Sequence, residues 1–169
     1  MQWISHEIVT GVFVYSLTGG NGLCATAALA GSLVPDVIEG DVPLDPKGLL
    51  KWTRSHRPSS HWFVPYSMAA LIAFVWSFFA DHATATMENT TLALTAGRNR
   101  GTLPVIAGFF LMGAVFHIGE DSLCGTVPSL NPRKRIGVRL FYVGSVQEHF
   151  ITAALVVAFV IVWLKGVLW

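Results

Sequence analysis

Charge is what this sequence has least of. Its 169 residues include 11 Lys or Arg and 10 Asp or Glu, 12% in all, where a water-soluble domain carries about 25%. The net charge is +1, and no basic stripe interleaved with aromatics is present, so nucleic acid is not expected as a partner. Cysteine is equally scarce. Cys24 lies in an apolar run and Cys124 beside a polar loop; two such residues make no disulfide framework and read as free thiols, which leaves the redox compartment open. The start, Met-Gln-Trp-Ile-Ser-His-Glu, lacks a basic segment, so a cleaved signal peptide is not expected. There is no internal repeat and no low-complexity tract, and the length suggests a single domain over 1–169.

Hydrophobic residues are plentiful, 53% of the chain, and they are grouped. Ile8–Pro35, Phe63–Ala80, Leu103–Phe116 and Phe150–Leu164 contain no Asp, Glu, Lys, Arg or His. A helix crossing a bilayer needs about 20 mostly apolar residues, because its backbone must be satisfied internally. The expected fold is therefore all-α and polytopic, with membrane lipid as its surroundings. Gly19-Gly20-Asn21-Gly22 breaks the first run with a turn signal. It predicts two short helices, about Ile4–Leu17 and Leu23–Leu33, folded as a hairpin that is re-entrant or interfacial. Three spanning helices follow, about Phe63–Ala80, Leu103–Asp121 and Gln147–Leu164. Polar loops over Asp36–His61, Asp81–Thr102 and Ser122–Val146 join them, and Lys165 and Trp169 suit the interface.

This topology has a consequence for the polar residues. It brings His6, Asp36, His56, His61, His117, Glu120, Asp121, Glu148 and His149 to one membrane face, and leaves only His82 among the histidines on the other. The same face carries Lys47, Lys51, Arg54, Arg57, Arg133, Lys134, Arg135 and Arg139, against Arg98, Arg100 and Lys165 opposite. The positive-inside rule then turns the histidine-rich face to the cytoplasm.

His117 and Asp121 are four apart on a helix, so both side chains can reach one ion or simply each other. Imidazole and carboxylate are ordinary ligands for zinc, manganese or iron, and ionisable groups at a membrane edge are costly and usually functional. In His56-Arg57-Pro58-Ser59-Ser60-His61 the proline opposes a continuous helix, leaving a loop with two imidazoles and a guanidinium. The planar fork of Arg57 matches a phosphate or carboxylate, although the residue also fits as a plain topology charge. Ser60 either meets a phosphate oxygen or shapes the loop. Asp36 reads equally as a ligand or a loop acid, His6 as a ligand or an interfacial residue, and Glu148 as a site acid or a partner for its own helix dipole. A His, Asp and Glu set with no nucleophilic Ser or Cys beside it points to metal-activated water rather than covalent catalysis.

These pieces, in order, resemble the YdjM-like family of membrane-bound metal-dependent hydrolases. The resemblance is carried by His6, Gly31-Ser32-Leu33-Val34-Pro35-Asp36, His56 to His61, His117-Ile118-Gly119-Glu120-Asp121, Gly125, Pro128, Asn131-Pro132, and Gly144-Ser145 with Glu148. The family pattern is a Leu-Pro-Asp helix end, a His-Arg-Gly-x-Ser/Thr-His loop and a His-x-x-x-Asp helix, related to zinc-dependent phospholipase C and a single-strand nuclease of similar fold. The resemblance implies a prokaryotic inner-membrane protein with a divalent ion, zinc first and manganese second. It implies His6, Asp36, His61, His117 and Asp121 as metal ligands, with His56 and Glu148 as further candidates. The implied chemistry is hydrolysis of a phosphoester, an anionic or phosphorylated lipid being the natural substrate, with Glu120 or Glu148 as base and Arg57 on the phosphate. Three positions depart from the pattern. Ile38 stands where a second acid is common, with Glu39 and Asp41 nearby; Pro58 replaces Gly; Trp62 replaces a small hydroxyl residue. They keep open a second expectation, a non-catalytic membrane scaffold or partner subunit with a structural or vestigial metal site. A transporter ranks last, since paired broken helices and a repeated half are missing.

Overall fold

The computed structural model describes residues 1–40, 47, 60–88 and 102–166. The chain begins with α1 (Trp3–Leu17), turns through Gly19 and Gly20 at φ 66° and 89°, and enters α2 (Gly22–Ser32). Positive φ at two successive positions suits glycine, which has no Cβ to clash. Asn21 caps α2, its side-chain oxygen accepting from the amides of Leu23 at 3.0 Å and Cys24 at 3.2 Å. The hairpin expected from the sequence is therefore present.

Its second limb is longer than expected. Leu33 keeps a right-handed helical conformation, and α3 (Val34–Glu39) follows at once with Pro35 in its first turn. Proline is favoured there, because the first helical amides have no intrahelical acceptor. Together Gly22–Glu39 makes an apolar stretch of 18 residues, and Gly40 at φ 79° ends it. With α4 (Phe63–Glu88), α5 (Thr102–Cys124) and α6 (Val146–Leu164), four helices among the described residues are long and apolar enough to cross a membrane. The sequence reading anticipated three. It also ended α4 at Ala80, whereas the helix continues to Glu88, since Asp81 to Glu88 contains neither Gly nor Pro.

Outward apolar surface is extensive. Leu71, Ile72, Trp76 and Phe79 on α4 are each more than 60% exposed, a burden in water but matched to hydrocarbon. What holds the helices together is small residues. A Cβ added to Gly31 would fall 1.6 Å from the Phe110 carbonyl oxygen, and one on Gly113 would fall 2.0 Å from that of Ala28. Glycine thus lets α2 and α5 meet backbone to backbone, the usual device where lipid removes the hydrophobic drive for helix association. On the other side of α5, Phe74 of α4 packs edge-on against Phe109 at 5.2 Å.

The segment after α5, expected as a loop, contains a small antiparallel pair, β1 (Val127–Pro128) with β2 (Arg135–Ile136). It folds back on α5 through hydrogen bonds from Val138 to Ser122 at 2.7 Å and from Leu140 to Leu123 at 2.9 Å. Trp62 donates its indole N–H to the Ser129 carbonyl at 3.0 Å, fixing the residue beside His61.

Candidate metal centre

α1, α3, the lead-in to α4, and the last turns of α5 all bring polar residues to one end of the bundle. α1 supplies His6, α3 supplies Asp36, His61 stands two residues before α4, and α5 supplies His117, Glu120 and Asp121. His6, His61, His117 and Asp121 are at most 2% exposed. The side chain of Asp36 is 25% exposed, so the cluster reaches solvent through that residue.

The distances suit either ion pairs between imidazole and carboxylate or the ligand atoms around a shared ion. His61 Nε2 lies 3.4 Å from Asp36 Oδ1 and 3.3 Å from Asp121 Oδ2, and His117 Nε2 lies 3.4 Å from the same Asp36 oxygen. His6 Nε2 is 3.3 Å from Asp121 Oδ1, and His117 Nε2 is 4.0 Å from Asp121 Oδ2. Donor atoms at 2.0–2.1 Å from a tetrahedral ion stand about 3.3 Å apart. Both ring nitrogens of His117 are buried without a hydrogen-bond partner, a costly condition unless something else accepts the lone pair. Two overlapping groups satisfy the reach of one ion: His6, His117 and Asp121, and Asp36, His61 and His117. Asp121 faces both, with Oδ1 toward His6 and Oδ2 toward His61. The residues present therefore fit a divalent cation.

Neighbouring groups orient the imidazoles. Glu120 Oε2 contacts His6 Nδ1 at 2.6 Å, and Glu120 Oε1 accepts from the Thr10 hydroxyl at 3.3 Å. This is the carboxylate–histidine pairing that commonly fixes a ligand's tautomer and basicity. Ser60 Oγ stands 3.0 Å from His61 Nδ1, with Glu39 Oε2 at 3.9 Å from the same nitrogen. Ser60 thus serves the histidine beside it, and Glu39 is the acid that approaches where Ile38, 63% exposed, does not. Burial works to lower the pKa of His61, but its contacts with Asp121 and Asp36 outweigh that and raise it above the ordinary histidine value. The α-amino nitrogen of Met1 completes the surroundings, 2.8 Å from Asp121 Oδ1 and 3.1 Å from Cys124 Sγ.

Other candidates fall elsewhere. Glu148 is fully buried, but its oxygens accept from the Gln2 amide at 2.5 Å and the Gly144 amide at 2.6 Å. It ties the entry of α1 to the head of α6, and it belongs to neither ligand group. His149 is exposed on α6. His56 and Arg57 lie outside the described residues. Thr10 was not singled out in the sequence, although its position four residues after His6 puts the two on one helix face. No family model, curated protein or solved structure matches this chain.

Proposed function

We propose that this chain is a membrane-embedded, metal-dependent phosphoester hydrolase of the YdjM-like kind, acting at the cytoplasmic face of a prokaryotic inner membrane. The observation that carries this reading is the pair of overlapping groups, His6, His117 and Asp121 with Asp36, His61 and His117, whose imidazole and carboxylate atoms lie within reach of an ion at one end of an apolar helix bundle. Asp36, His61, His117, Asp121 and His6 hold the ion, zinc before manganese. Such an ion supplies a Lewis acid for a phosphoryl oxygen and lowers the pKa of a water to about 7.

The chain's own groups do the rest. Glu120 keeps His6 aimed at the centre and is a buried carboxylate placed to take a proton through that contact. Asp36 is the partly exposed member of the set, so the centre is open to water on that side. Arg57 is assigned the phosphate, since two parallel N–H groups match two of its oxygens. Arg133, Lys134, Arg135 and Arg139 are exposed on the same end and draw anionic headgroups, each contributing about 1 kcal/mol near the surface.

One observation favours a second reading. His117 belongs to both ligand groups and His61 lies 3.3–3.4 Å from both Asp36 and Asp121, and a tetrahedral site whose positions are all filled by protein ligands is structural. That arrangement suits a scaffold or partner subunit.

Elemental mass spectrometry on the purified protein beside His61→Ala and Asp121→Ala separates these readings, when followed by hydrolysis assays on phosphatidic acid and p-nitrophenyl phosphate. Metal in the wild type, absent from both variants, together with wild-type turnover supports the hydrolase. Metal without turnover of either ester supports the scaffold. No metal, even after incubation with zinc and manganese, overturns both.

A further inference from the structure

Between α5 and α6 the bundle is not closed. α1 packs against both helices, whereas α5 and α6 have at most marginal contact with each other. The gap is a cleft of about 340 Å³, within the ~300–1,000 Å³ range of small-molecule sites. Val9 and Phe13 of α1 form its floor, Phe116 and Gly119 of α5 one wall, and Leu155 and Phe159 of α6 the other. Among its lining residues only Thr10 and Glu120 are polar; they meet on the side nearer the candidate metal centre, where apolar Val9 and Leu123 flank them.

The direction of the cleft matters. Glu120 is the residue that contacts His6 at 2.6 Å, so the polar end abuts the candidate metal centre. From there the lining moves along each helix away from that end: from Thr10 to Phe13, from Glu120 to Phe116, from Leu155 to Phe159. At 1.5 Å per residue, the run from His6 to Phe13 carries it about 10 Å along the bundle. Phe13 meets Phe116 at 4.7 Å and Phe159 at 4.8 Å, and these rings bound the deep end. Both walls belong to helices able to cross a membrane, so the mouth between them faces hydrocarbon.

We propose that this cleft holds an acyl chain of a membrane phospholipid whose phosphate end lies at the metal centre. The inference rests on the hydrolase reading for the placement of the headgroup, and names the class of its substrate: a phospholipid taken laterally from the bilayer. A chain with its polar end at Thr10 and Glu120 satisfies both ends of the cleft, which neither free phosphate nor a water-soluble ester does. Gly119 is the position that controls it. This residue is exposed, and an added Cβ would meet nothing within 4 Å, so a side chain there enters open space without displacing backbone.

The test uses the protein in phosphatidylglycerol vesicles containing phosphatidic acid with a diazirine midway along one acyl chain. Irradiation followed by peptide mapping is expected to place label on Phe13, Phe116, Leu155 or Phe159. Gly119→Leu is expected to lower that labelling roughly tenfold, with Gly119→Ala intermediate and metal content equal in all three proteins. Label spread over the outward face of α4, and unchanged in Gly119→Leu, overturns the proposal and identifies ordinary boundary lipid. If Gly119→Leu does not fold, the map in the wild type and Gly119→Ala still decides. Label in the cleft of a protein that binds no metal supports the chain site while removing the hydrolase; metal and turnover without label in the cleft does the reverse.

Discussion

At the scale of single residues, the site is a set of acids and imidazoles that do different work at similar distances. Asp121 and His117 stand within reach of an ion, whereas Glu120 acts one step out, through His6. Loss of such an outer carboxylate lowers metal affinity about 10–100-fold. Glu120→Gln is therefore expected to retain metal at saturating zinc but to give it up to a chelator that leaves the wild type loaded. Equal chelator resistance would show that Glu120 does not tune His6. Glu148 separates from this group. Its carboxylate accepts from two backbone amides, and a buried acceptor removed from its donors costs about 1–3 kcal/mol. Glu148→Gln should lower the thermal midpoint in detergent while metal stoichiometry stays at the wild-type value. Loss of metal at unchanged stability would instead make Glu148 a ligand.

The raised pKa of His61 sets a pH dependence of definite sign. In the metal-free protein the proton on His61 is held by Asp121 and Asp36. The stability it contributes is complete below the ordinary histidine value of about 6.5 and is lost as pH rises through the raised one. Metal needs the neutral ring, so affinity changes the opposite way. Melting curves of the apo protein should shift downward as pH rises above the ordinary histidine value of about 6.5, while zinc affinity tightens. A parallel rise of both would refute the assignment.

Among the elements, the contact of α2 with α5 governs the site most directly. Gly31 lies five residues before Asp36, and its Cα faces the Phe110 carbonyl with no room for a methyl group. Overpacking of this kind costs about 1–3 kcal/mol, and relief by separating the helices carries Asp36 away from His117. Gly31→Ala should consequently reduce both the thermal midpoint and the metal content. Metal loading equal to wild type would mean that α3 finds its place independently of α2. The continuity of α2 into α3 was hidden in the sequence, since Val34-Pro35 reads as a helix boundary. In the fold Pro35 opens α3 instead, where its missing N–H has no cost.

For the molecule as a whole, the positive-inside rule predicts an orientation that puts the exposed basic segment Arg133 to Arg139 on the cytoplasmic side. Lys134→Cys should react with a membrane-impermeant maleimide in inverted vesicles and resist it in intact cells; Cys24 and Cys124 are buried and interfere little. The reverse labelling pattern would place the site outside the cytoplasm.

Much of this was legible in the chain itself. Apolar runs, the Gly19-Gly20-Asn21-Gly22 turn and the His117–Asp121 spacing depend on short-range patterns, and they were enough to bring His6, Asp36, His61, His117 and Asp121 to one end of a helical bundle. Backbone hydrogen bonding in hydrocarbon allows few alternatives to helices, which is why composition alone carries so far. Other features needed the tertiary structure. Whether Glu120 or Glu148 faces His6 depends on helix rotation, which the near-uniform apolarity of α1 and α5 leaves unspecified. The fusion of α2 with α3 depends on one residue's backbone angles, and the cleft beside Gly119 on two helices failing to meet. Such outcomes are set by packing between residues distant in sequence, and no local pattern encodes them.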